Sequence, residues 1–341
     1  MADCPRDSDL DRYHGGELDE AEEARVRRHL AECEDCGRGV VEPIRLDGGW
    51  SGYVLTGVIT LPDSGNEPVG MPNVDDWAKT LLSLVGETDT DVGRDVLKHS
   101  ATTRVFRSRI SLGHRTLEVI AKQRRVRGTL PRLARLFRAS RERRNWERGL
   151  LLCRIGVPTA LPLAILERSR PQRESWLITR AIPEVVDLQQ LALMHLSSKN
   201  PSRAYRLKSV LTDLIVDLFA RLDRHGLHHR DLKGSNILVT GCDGPVEQVG
   251  IWLVDLDGLH RSRRPHRRRW QPVVRLAVSL LPYSSITRTD AVRFLRRYLK
   301  QLQLPADSWK RRWPRLAARV QHYAARSSKR KRHKLDGLDG G

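Results

Sequence analysis

The chain has 341 residues, and its 61 lysines and arginines against 41 aspartates and glutamates give a formal net charge of +20 at pH 7. That charge favours an anionic partner, such as a membrane surface, a phosphorylated substrate or nucleic acid, without choosing among them. Five cysteines, an odd number, argue against a secreted disulfide scaffold, and no apolar run approaches the ~20 residues that span a bilayer. No signal peptide opens the chain, so we expect a cytoplasmic protein that can associate peripherally with the inner membrane.

The first forty residues are acidic in an otherwise basic chain and hold three of the cysteines. His29 and Cys33 lie four residues apart, so they share one face of a predicted helix, and Cys36 follows near its end. With Cys4 they make a Cys₃His set of the closed, structural kind that binds Zn²⁺. Residues 1–40 resemble the zinc-finger module of anti-sigma factors, whose His-x₃-Cys-x₂-Cys signature is present here. The alternative is an acidic helical hairpin with incidental thiols.

Residues 41–94 are predicted to be a connector of unclear structure. Within it Trp50–Leu61 can form strands, whereas frequent Gly, Pro, Asp and Asn over 63–76 indicate loops. No chemistry is assigned to this stretch.

Strands resume near Leu97, and Thr103–Ile110 alternates in the manner of a half-buried strand. The next predicted strand carries Lys122 after two β-branched residues and an alanine, as in the strand that bears the ATP lysine of kinases. A lone lysine at a strand end is otherwise a solvated charge. Lys98–Thr103 takes the place of the phosphate-covering loop but has no Gly-x-Gly-x-x-Gly, so backbone amides and hydroxyls would bind the phosphates instead.

An arginine-rich helix is predicted over roughly Leu130–Ile155. One of its glutamates is expected to pair with Lys122 and so fix it for the α- and β-phosphates of ATP. We choose Glu147, because Leu150 and Leu151 place it beside an apolar face, and keep Glu142 as the alternate.

Two further elements connect this region to the catalytic candidates. Trp176–Thr179 reads as an apolar strand that ends at Arg180–Pro183, where the interlobe hinge of a kinase would offer backbone groups to adenine. The clearest helix then runs from about Ser202 to His225, with a core stripe at three- and four-residue spacing, and Gly226 ends it.

This helix leads into the stretch His228–Val239, where His-Arg-Asp is followed five residues later by Asn, the spacing of a kinase catalytic loop. Phosphoryl transfer needs one carboxylate to orient the acceptor hydroxyl and an oxygen ligand nearby for a metal ion. Asp231 suits the first role and Asn236 the second, while Lys233 can stabilise charge on the transferred phosphoryl group.

The next metal ligand follows about twenty residues later, where the apolar strand Ile251–Val254 ends in acids. Asp255 comes directly after the apolar run, as the metal-binding aspartate of a kinase does, so we prefer it for Mg²⁺. Asp257 is either a second ligand or a turn residue before Gly258.

The remainder of the chain is mostly basic. Arg261–Trp270 is predicted to be either a solvated charge run or an anion-binding segment near the substrate. Two helical patterns follow, Val273–Leu281 and Asp290–Leu302, and the tail 306–341 is predicted to be partly disordered.

The chain from about 95 to 305 resembles a small-molecule kinase of the protein-kinase-like fold, and more narrowly the lipopolysaccharide kinases that act on Kdo (3-deoxy-octulosonic acid) or heptose. No Ala-Pro-Glu segment follows the metal motif, as one would in an ordinary protein kinase. The features that carry the resemblance are the ordered series Lys122, Glu147, Asp231, Asn236 and Asp255, the segments Ser140–Glu147 and Gly156–Thr159, the Asp-Leu-Asp metal motif, and Val292–Leu299.

The resemblance implies an α+β chain with a bilobal kinase-like fold over 95–305, preceded by the α-helical zinc-binding module. It implies ATP- and Mg²⁺-dependent phosphorylation of a sugar hydroxyl on an anionic glycolipid or saccharide acceptor at the cytoplasmic membrane face. The alternatives are a Ser/Thr protein kinase, and an inactive pseudokinase scaffold whose zinc module binds a protein partner. No recognised nucleic-acid module supports nucleic-acid binding.

Overall fold

The computed structural model describes residues 21–22, 25, 40–60, 68–71, 73–86, 95–112, 115–125, 140–168, 173–194, 200–262, 268–305 and 307–336. They divide into two compact units. Unit 1 consists of the described residues up to Gly156 together with Ala160–Ile182. Unit 2 consists of Val157–Thr159 together with the described residues from Pro183 onward.

Besides the helical residues 21–22 and 25, the described part of unit 1 contains these strands and helices: β1 (Val40–Leu46), β2 (Trp50–Thr60), β3 (Pro68–Met71), α1 (Val74–Gly86), β4 (Asp95–His99), β5 (Thr103–Leu112), β6 (Arg115–Arg125), α2 (Arg141–Arg154), β7 (Pro162–Arg168) and β8 (Glu174–Arg180). That of unit 2 is mostly helical: β9 (Val186–Asp187), α3 (Leu188–Met194), α4 (Pro201–Arg224), β10 (Leu227–His229), β11 (Ile237–Thr240), β12 (Gly250–Leu253), β13 (Leu259–Arg261), α5 (Trp270–Leu280), α6 (Arg288–Gln301) and α7 (Ser308–Asp336).

The strands of unit 1 form one antiparallel sheet in the order β1-β2-β7-β8-β6-β5-β4, with β3 paired to β2. The strand predicted at Trp50–Leu61 is confirmed as β2. The stretch predicted to be a connector therefore contributes three strands and helix α1 to the fold of unit 1. Because β6 lies between β5 and β8, Lys122 stands opposite Val105 on one side and Leu177 on the other.

Helices cover both faces of this sheet. On one face α1 buries Trp77 completely, and the Trp77 indole donates a hydrogen bond to the Leu55 carbonyl at 2.8 Å. On the other face α2 packs Trp146 against Ile165 and Leu177. Helix α1 is therefore part of the core of unit 1. Truncating a buried tryptophan such as Trp77 to alanine lowers the free energy of unfolding by about 3–5 kcal/mol.

Helix α2 begins later than the sequence predicts. Ser140 is its N-cap: the Ser140 backbone is extended, and its hydroxyl accepts a hydrogen bond from the Arg143 amide at 2.9 Å. A capping hydroxyl takes the amide bond that a continuing helix would supply, so the predicted single helix over Leu130–Ile155 is wrong at its start. Residues 126–139 lie outside the described residues. The predicted end is confirmed, since Gly156 follows with φ of 69°.

Helix α4 confirms the prediction at Ser202–His225 almost to the residue. Asn200 caps it by accepting from the Arg203 amide at 3.0 Å, and Gly226 ends it at φ of 66°. Its apolar stripe packs against α6, where the Phe219 ring meets the rings of Phe294 and Tyr298. Because β10 begins shortly after α4 ends, this packing also fixes the position of β10 and of the catalytic-loop candidate that follows it. Helices α5 and α6 confirm the two helical patterns predicted after residue 270.

Within the tail that is predicted to be partly disordered, Ser308–Asp336 forms helix α7, and residues 337–341 lie outside the described residues. Its apolar residues recur at helical spacing, and ring contacts attach it to α5 and α6: Arg312 lies over Trp270, Arg275 over Tyr323, and Arg288 over Trp313. The arginine-rich composition concealed this apolar face. Among the described helices, α7 included, there is none whose length and hydropathy would suit a bilayer crossing.

Candidate active site

The catalytic-loop candidate joins β10 to β11 in unit 2 and is fixed at both ends to the metal-motif segment. The Arg230 amide donates to the Gly258 carbonyl at 2.8 Å, and the Val254 amide donates to the Asn236 carbonyl at 2.9 Å. Strands β11 and β12 pair directly after and before these points, with Ile237 opposite Leu253. The backbone therefore brings the loop and the metal motif, which are separated by about twenty residues in sequence, to one end of a β-hairpin.

The Asp231 carboxylate is held by two cations. Lys233 Nζ lies 2.7 Å from Asp231 Oδ2, and the Arg275 guanidinium pairs with Oδ1. The Asp231 side chain remains 43% exposed. Partial burial acts to raise its pKa, but the hydrogen bond from Lys233 and the charges of Arg275 and Lys233 outweigh burial, so the pKa lies below its usual value. Asp231 is therefore ionised at neutral pH and within reach of a ligand.

Helix α5 lies along this loop and contacts it through residues four apart. Besides Arg275, the Ser279 hydroxyl accepts from the Gly234 amide at 2.8 Å, and the Gln271 side chain reaches the Arg230 carbonyl at 3.5 Å. These three residues of α5 were not predicted from the sequence. Their i, i+4, i+8 spacing was visible, but the contacts depend on how α5 packs, which no local pattern shows.

The arginine run before α5 divides into two parts. Residues 263–267 lie outside the described residues. Arg269 is largely buried and pairs with Asp223, its Nε lying 3.0 Å from Asp223 Oδ1. Arg269 therefore fastens the start of α5 to α4, while the anion-binding interpretation of the run stays a prediction.

Gly234 allows α3 to approach the same loop. A Cβ at Gly234 would lie 2.7 Å from the Gln189 side chain and 3.1 Å from that of Leu280, and Gln189 itself donates to the Ser279 carbonyl at 2.9 Å. Loop, α3 and α5 are therefore packed too closely for a larger residue at position 234.

The two metal-ligand candidates flank the end of the hairpin. The Asn236 side-chain amide donates to the Asp231 carbonyl at 3.2 Å, which orients Asn236 relative to the catalytic loop. Asp255 is exposed, and its backbone has a left-handed φ of 56°, a strained value of the kind that recurs at functional sites. Its carbonyl lies 3.0 Å from His229 Nε2. Asp257 is half-buried in the short 3₁₀ turn that follows.

In unit 1, Lys122 lies on the face of β6 that α2 covers, because Val119, Ala121 and Gln123 are buried on the opposite face. Arg124 shares the face of Lys122. Its guanidinium lies 3.9 Å from Glu142, and the Ser175 hydroxyl donates to Glu142 at 2.9 Å.

The two glutamates proposed as partners for Lys122 differ in their surroundings. Glu142 is completely buried, in the first turn of α2. Glu147, the first choice from the sequence, is partly exposed and lies 3.2 Å from Arg143. The burial of Glu142 could not be read from sequence, since it depends on Ser175 of β8 lying beneath the helix.

The segment predicted to cover the phosphates is a tight turn between β4 and β5. The Ser100 amide donates to the Thr103 carbonyl at 2.8 Å, and the Ser100 hydroxyl accepts from the Thr103 amide at 3.1 Å. The Arg125 amide donates to the Thr102 carbonyl at 3.0 Å. The turn is thus held by its own hydroxyl and by the end of β6.

The predicted zinc ligands Cys4, His29, Cys33 and Cys36 lie outside the described residues. Within the described ranges, no group of three or more His, Cys, Asp or Glu side chains is placed to hold a metal ion. The surroundings of the other two cysteines disfavour the reactive thiolate, since burial raises the pKa of Cys153 to about 12 and also raises that of Cys242.

Two family models match the chain. The one described as "Lipopolysaccharide kinase (Kdo/WaaP) family" matches residues 77–298, more than half of the chain. The one described as "Putative zinc-finger" matches residues 8–37, which include His29, Cys33 and Cys36 but not Cys4. No curated protein matches the chain.

Two solved structures resemble the chain. The structure described as "WaaP in complex with acyl carrier protein" has 24% sequence identity and a TM-score of 0.50, covering 68% of this chain and 88% of that one. A second structure, the kinase domain of a Toxoplasma gondii rhoptry antigen, has 13% identity and a TM-score of 0.40, covering 66% and 82%. The first likeness shows a kinase-like fold, as the sequence predicted.

Proposed function

The chain belongs to the lipopolysaccharide kinase (Kdo/WaaP) family, an ATP-dependent phosphotransferase family acting on sugar hydroxyls, and we propose that its acceptor is a Kdo or heptose residue of a lipid-linked glycan. The observation that best supports an active enzyme is the Asp231 carboxylate, ionised, exposed and fixed by Lys233 on a loop tied to the metal motif. An inactive scaffold would not need this arrangement.

In the proposed reaction the acceptor hydroxyl oxygen bonds to the γ-phosphorus of ATP, and the bond from that phosphorus to the bridging oxygen breaks. Asp231 orients the hydroxyl and receives its proton, while ADP departs. Lys233 stabilises the negative charge on the transferred phosphoryl oxygens. The 2.7 Å contact between Lys233 and Asp231 supports this division, because one side chain positions the other.

Asn236 and Asp255 would hold Mg²⁺, with Asp257 as the alternate carboxylate. Their donor atoms fit, since amide and carboxylate oxygens are the hard ligands that Mg²⁺ prefers, and the β11–β12 hairpin brings both residues to one end. When bound, Mg²⁺ neutralises charge on the β- and γ-phosphates.

In unit 1, Lys122 would bind the α- and β-phosphates of ATP, and Glu147 would pair with it, with Glu142 as the alternate. Replacing each glutamate by glutamine separates the two assignments, because loss of the true partner raises the KM for ATP. An unchanged KM for Glu147→Gln together with a raised KM for Glu142→Gln would reverse our choice.

The direct test is transfer of labelled γ-phosphate from ATP with Mg²⁺ to an extract containing lipid A precursors, other glycolipids and proteins. We expect label on a glycolipid, and we expect Asp231→Ala to abolish it. Asp217→Ala is the matched control, since Asp217 is a partly exposed aspartate of α4 that pairs with Arg221 one turn along the same helix. Label on protein alone would favour the Ser/Thr kinase interpretation, and undiminished label with Asp231→Ala would contradict the proposed role of Asp231.

We also propose that the protein contacts the cytoplasmic membrane surface through α7. Its described exposed side chains include Lys310, Arg311, Arg315, Arg319 and Arg326, and four of the arginines recur near one face. The full helix contains eleven lysines and arginines and a single acid, Asp336. Such a surface is attracted to anionic lipid by about 1 kcal/mol per basic residue near the bilayer.

Co-sedimentation with vesicles tests this contact. We expect binding to vesicles containing phosphatidylglycerol, weak binding to phosphatidylcholine, and loss of binding when Arg311, Arg315 and Arg319 are changed to glutamine. Purified acyl carrier protein is the competitor to include, since the WaaP neighbour was solved with it. Equal sedimentation with both lipids would contradict the membrane contact.

For the N-terminal module we propose structural Zn²⁺ bound by Cys4, His29, Cys33 and Cys36, with a protein partner docked on the module. Because burial makes Cys153 and Cys242 slow to react, thiol labelling of the native protein reports on the three N-terminal cysteines. Stripping zinc with a chelator is expected to make three thiols reactive. Three reactive thiols before chelation would contradict the zinc site, and kinase activity measured before and after shows whether the module regulates the enzyme.

A further inference from the structure

The Asp231 carboxylate is paired with more than one cation. Lys233 pairs with Oδ2 and Arg275 with Oδ1, so one carboxylate faces two cations. Of these two cations, one is enough to neutralise the carboxylate, so the other can also bind an anion supplied by a ligand.

Arg275 and its helix make contacts besides the pair with Asp231. Its guanidinium lies 5.7 Å from the centre of the Tyr323 ring of α7. Its helix is fastened to the catalytic loop one turn later by the Ser279–Gly234 hydrogen bond and, through the Ser279 carbonyl, to Gln189. The guanidinium is therefore positioned before any ligand arrives, which lowers the entropic cost of binding one.

The Arg275 guanidinium also has N–H donors that do not contact Asp231. It carries five N–H donors in a planar fork, and one terminal nitrogen, Nη2, makes the contact with Asp231. The Arg275 side chain is 31% exposed, so a planar or tetrahedral oxyanion can reach the remaining donors. Arginine binds carboxylate and phosphate groups in this two-pronged manner.

We propose that Arg275 is the binding site for an acidic group, a carboxylate or a phosphate, carried by the acceptor sugar beside the hydroxyl that Asp231 orients. This inference rests on the proposed sugar-kinase function and specifies its substrate class. The two cations lie on different carboxylate oxygens, so the Lys233 side serves the transferred phosphoryl group and the Arg275 side serves the acceptor.

The arrangement also favours acidic acceptors over neutral ones. The donors of Arg275 that do not contact Asp231 can pair with an acidic group on the acceptor, whereas a neutral sugar gives them no anion to bind.

Equilibrium binding of matched sugar pairs tests the proposal without requiring turnover. The probes are a 3-deoxy-octulosonic acid glycoside against its methyl ester, and a heptose phosphate against the unphosphorylated heptose. We expect the wild-type protein to bind the charged member of at least one pair about tenfold more tightly or better, and Arg275→Gln to reduce this preference to twofold or less. Which pair shows it distinguishes carboxylate from phosphate.

Two variants control the result. Arg326→Gln removes an exposed arginine one turn from Tyr323 and is expected to keep the preference. Arg275→Lys keeps the charge without the planar fork and is expected to keep part of it, which also covers the case in which the glutamine variant folds poorly. Equal binding of charged and neutral sugars by the wild-type protein, or a preference that survives in Arg275→Gln, overturns the proposal.

Kinetics distinguish this inference from the function on which it rests. If charge-dependent binding is lost in Arg275→Gln but no Asp231-dependent transfer to any sugar is detected, the anion site stands and the sugar-kinase function fails. If Arg275→Gln raises the KM for ATP tenfold while the KM for the acceptor is unchanged, Arg275 contacts the nucleotide and the proposal fails.

Discussion

Asp231 and Asp290 are two aspartates of unit 2 with similar charge surroundings and different consequences. Asp231 faces Lys233 and Arg275, and Asp290 faces Lys208 and Arg293. Both have a pKa below the usual value. In each case burial acts to raise the pKa and is outweighed, for Asp290 by hydrogen bonds from Thr287 and by Lys208.

The two carboxylates differ in how much of their hydrogen-bonding capacity is still available to a ligand. Asp290 closes a capping box at the start of α6: it accepts from the Thr287 amide at 2.9 Å and from the Thr287 hydroxyl at 2.7 Å. Its side chain is 13% exposed, against 43% for Asp231. A lowered pKa therefore does not by itself identify a catalytic carboxylate, and the proposed role of Asp231 is supported instead by its open acceptor capacity on an ordered loop.

Isosteric replacement should separate the two aspartates most strongly. Asp231→Asn keeps the shape but cannot accept the hydroxyl proton, so we expect kcat to fall about 10²–10⁴-fold. Asp290→Asn should leave kcat within about twofold, because Asp290 holds only α4 and α6. Steady-state phosphate transfer at a temperature where both variants are folded makes the comparison, and a similar loss of kcat in both would contradict it.

The glutamates of α2 extend the same comparison to unit 1. Glu142 is fully buried between Arg124 and Ser175, so Glu142→Ala strands a buried hydroxyl and is expected to cost about 2–4 kcal/mol of unfolding free energy. Glu147→Ala loses a partly exposed pair with Arg143 and should cost about 1 kcal/mol or less. Denaturant titration of both variants measures the two losses of unfolding free energy. Equal losses would show that the burial of Glu142 does not contribute to stability.

Asp290→Asn is expected to lower the stability of the protein although it leaves kcat nearly unchanged. The substitution weakens the capping box and the contacts with Lys208 and Arg293, at a cost of about 1–2 kcal/mol. Because the pKa of Asp290 is lowered in the folded protein, its ionised form contributes stability above the unfolded-state pKa, and that contribution is lost as pH falls through the folded-state pKa. The stability gap between wild type and Asp290→Asn, measured by thermal denaturation, should therefore narrow in acid. A constant gap would contradict this assignment.

How much the sequence could predict depended on the range of the interactions concerned. The loop with Asp231 and Asn236, the strand before Asp255 and the helix that ends at Gly226 were all readable, because each depends on neighbours within a few residues. The contact of Arg275 with Asp231 and the burial of Glu142 join elements more than thirty residues apart, so no local spacing shows them. Helix α7 was not predicted for a different reason. Its apolar face is narrow, and arginines dominate its composition.

The smallest effect we expect is on pH dependence, and it returns to the comparison of the two aspartates. Lys233 and Arg275 both lower the pKa of Asp231, so Arg275→Gln should raise that pKa toward its usual value. The acid limb of the kcat/KM profile reports protonation of the base in the free enzyme, so it should move to higher pH in Arg275→Gln. Arg293→Gln, which removes the corresponding cation from Asp290, should leave the limb in place, because Asp290 takes no proton from the acceptor. A shift of equal size in both variants would mean that the limb reports acid unfolding, and measuring helix content by circular dichroism over the same pH range separates that case from titration of the base.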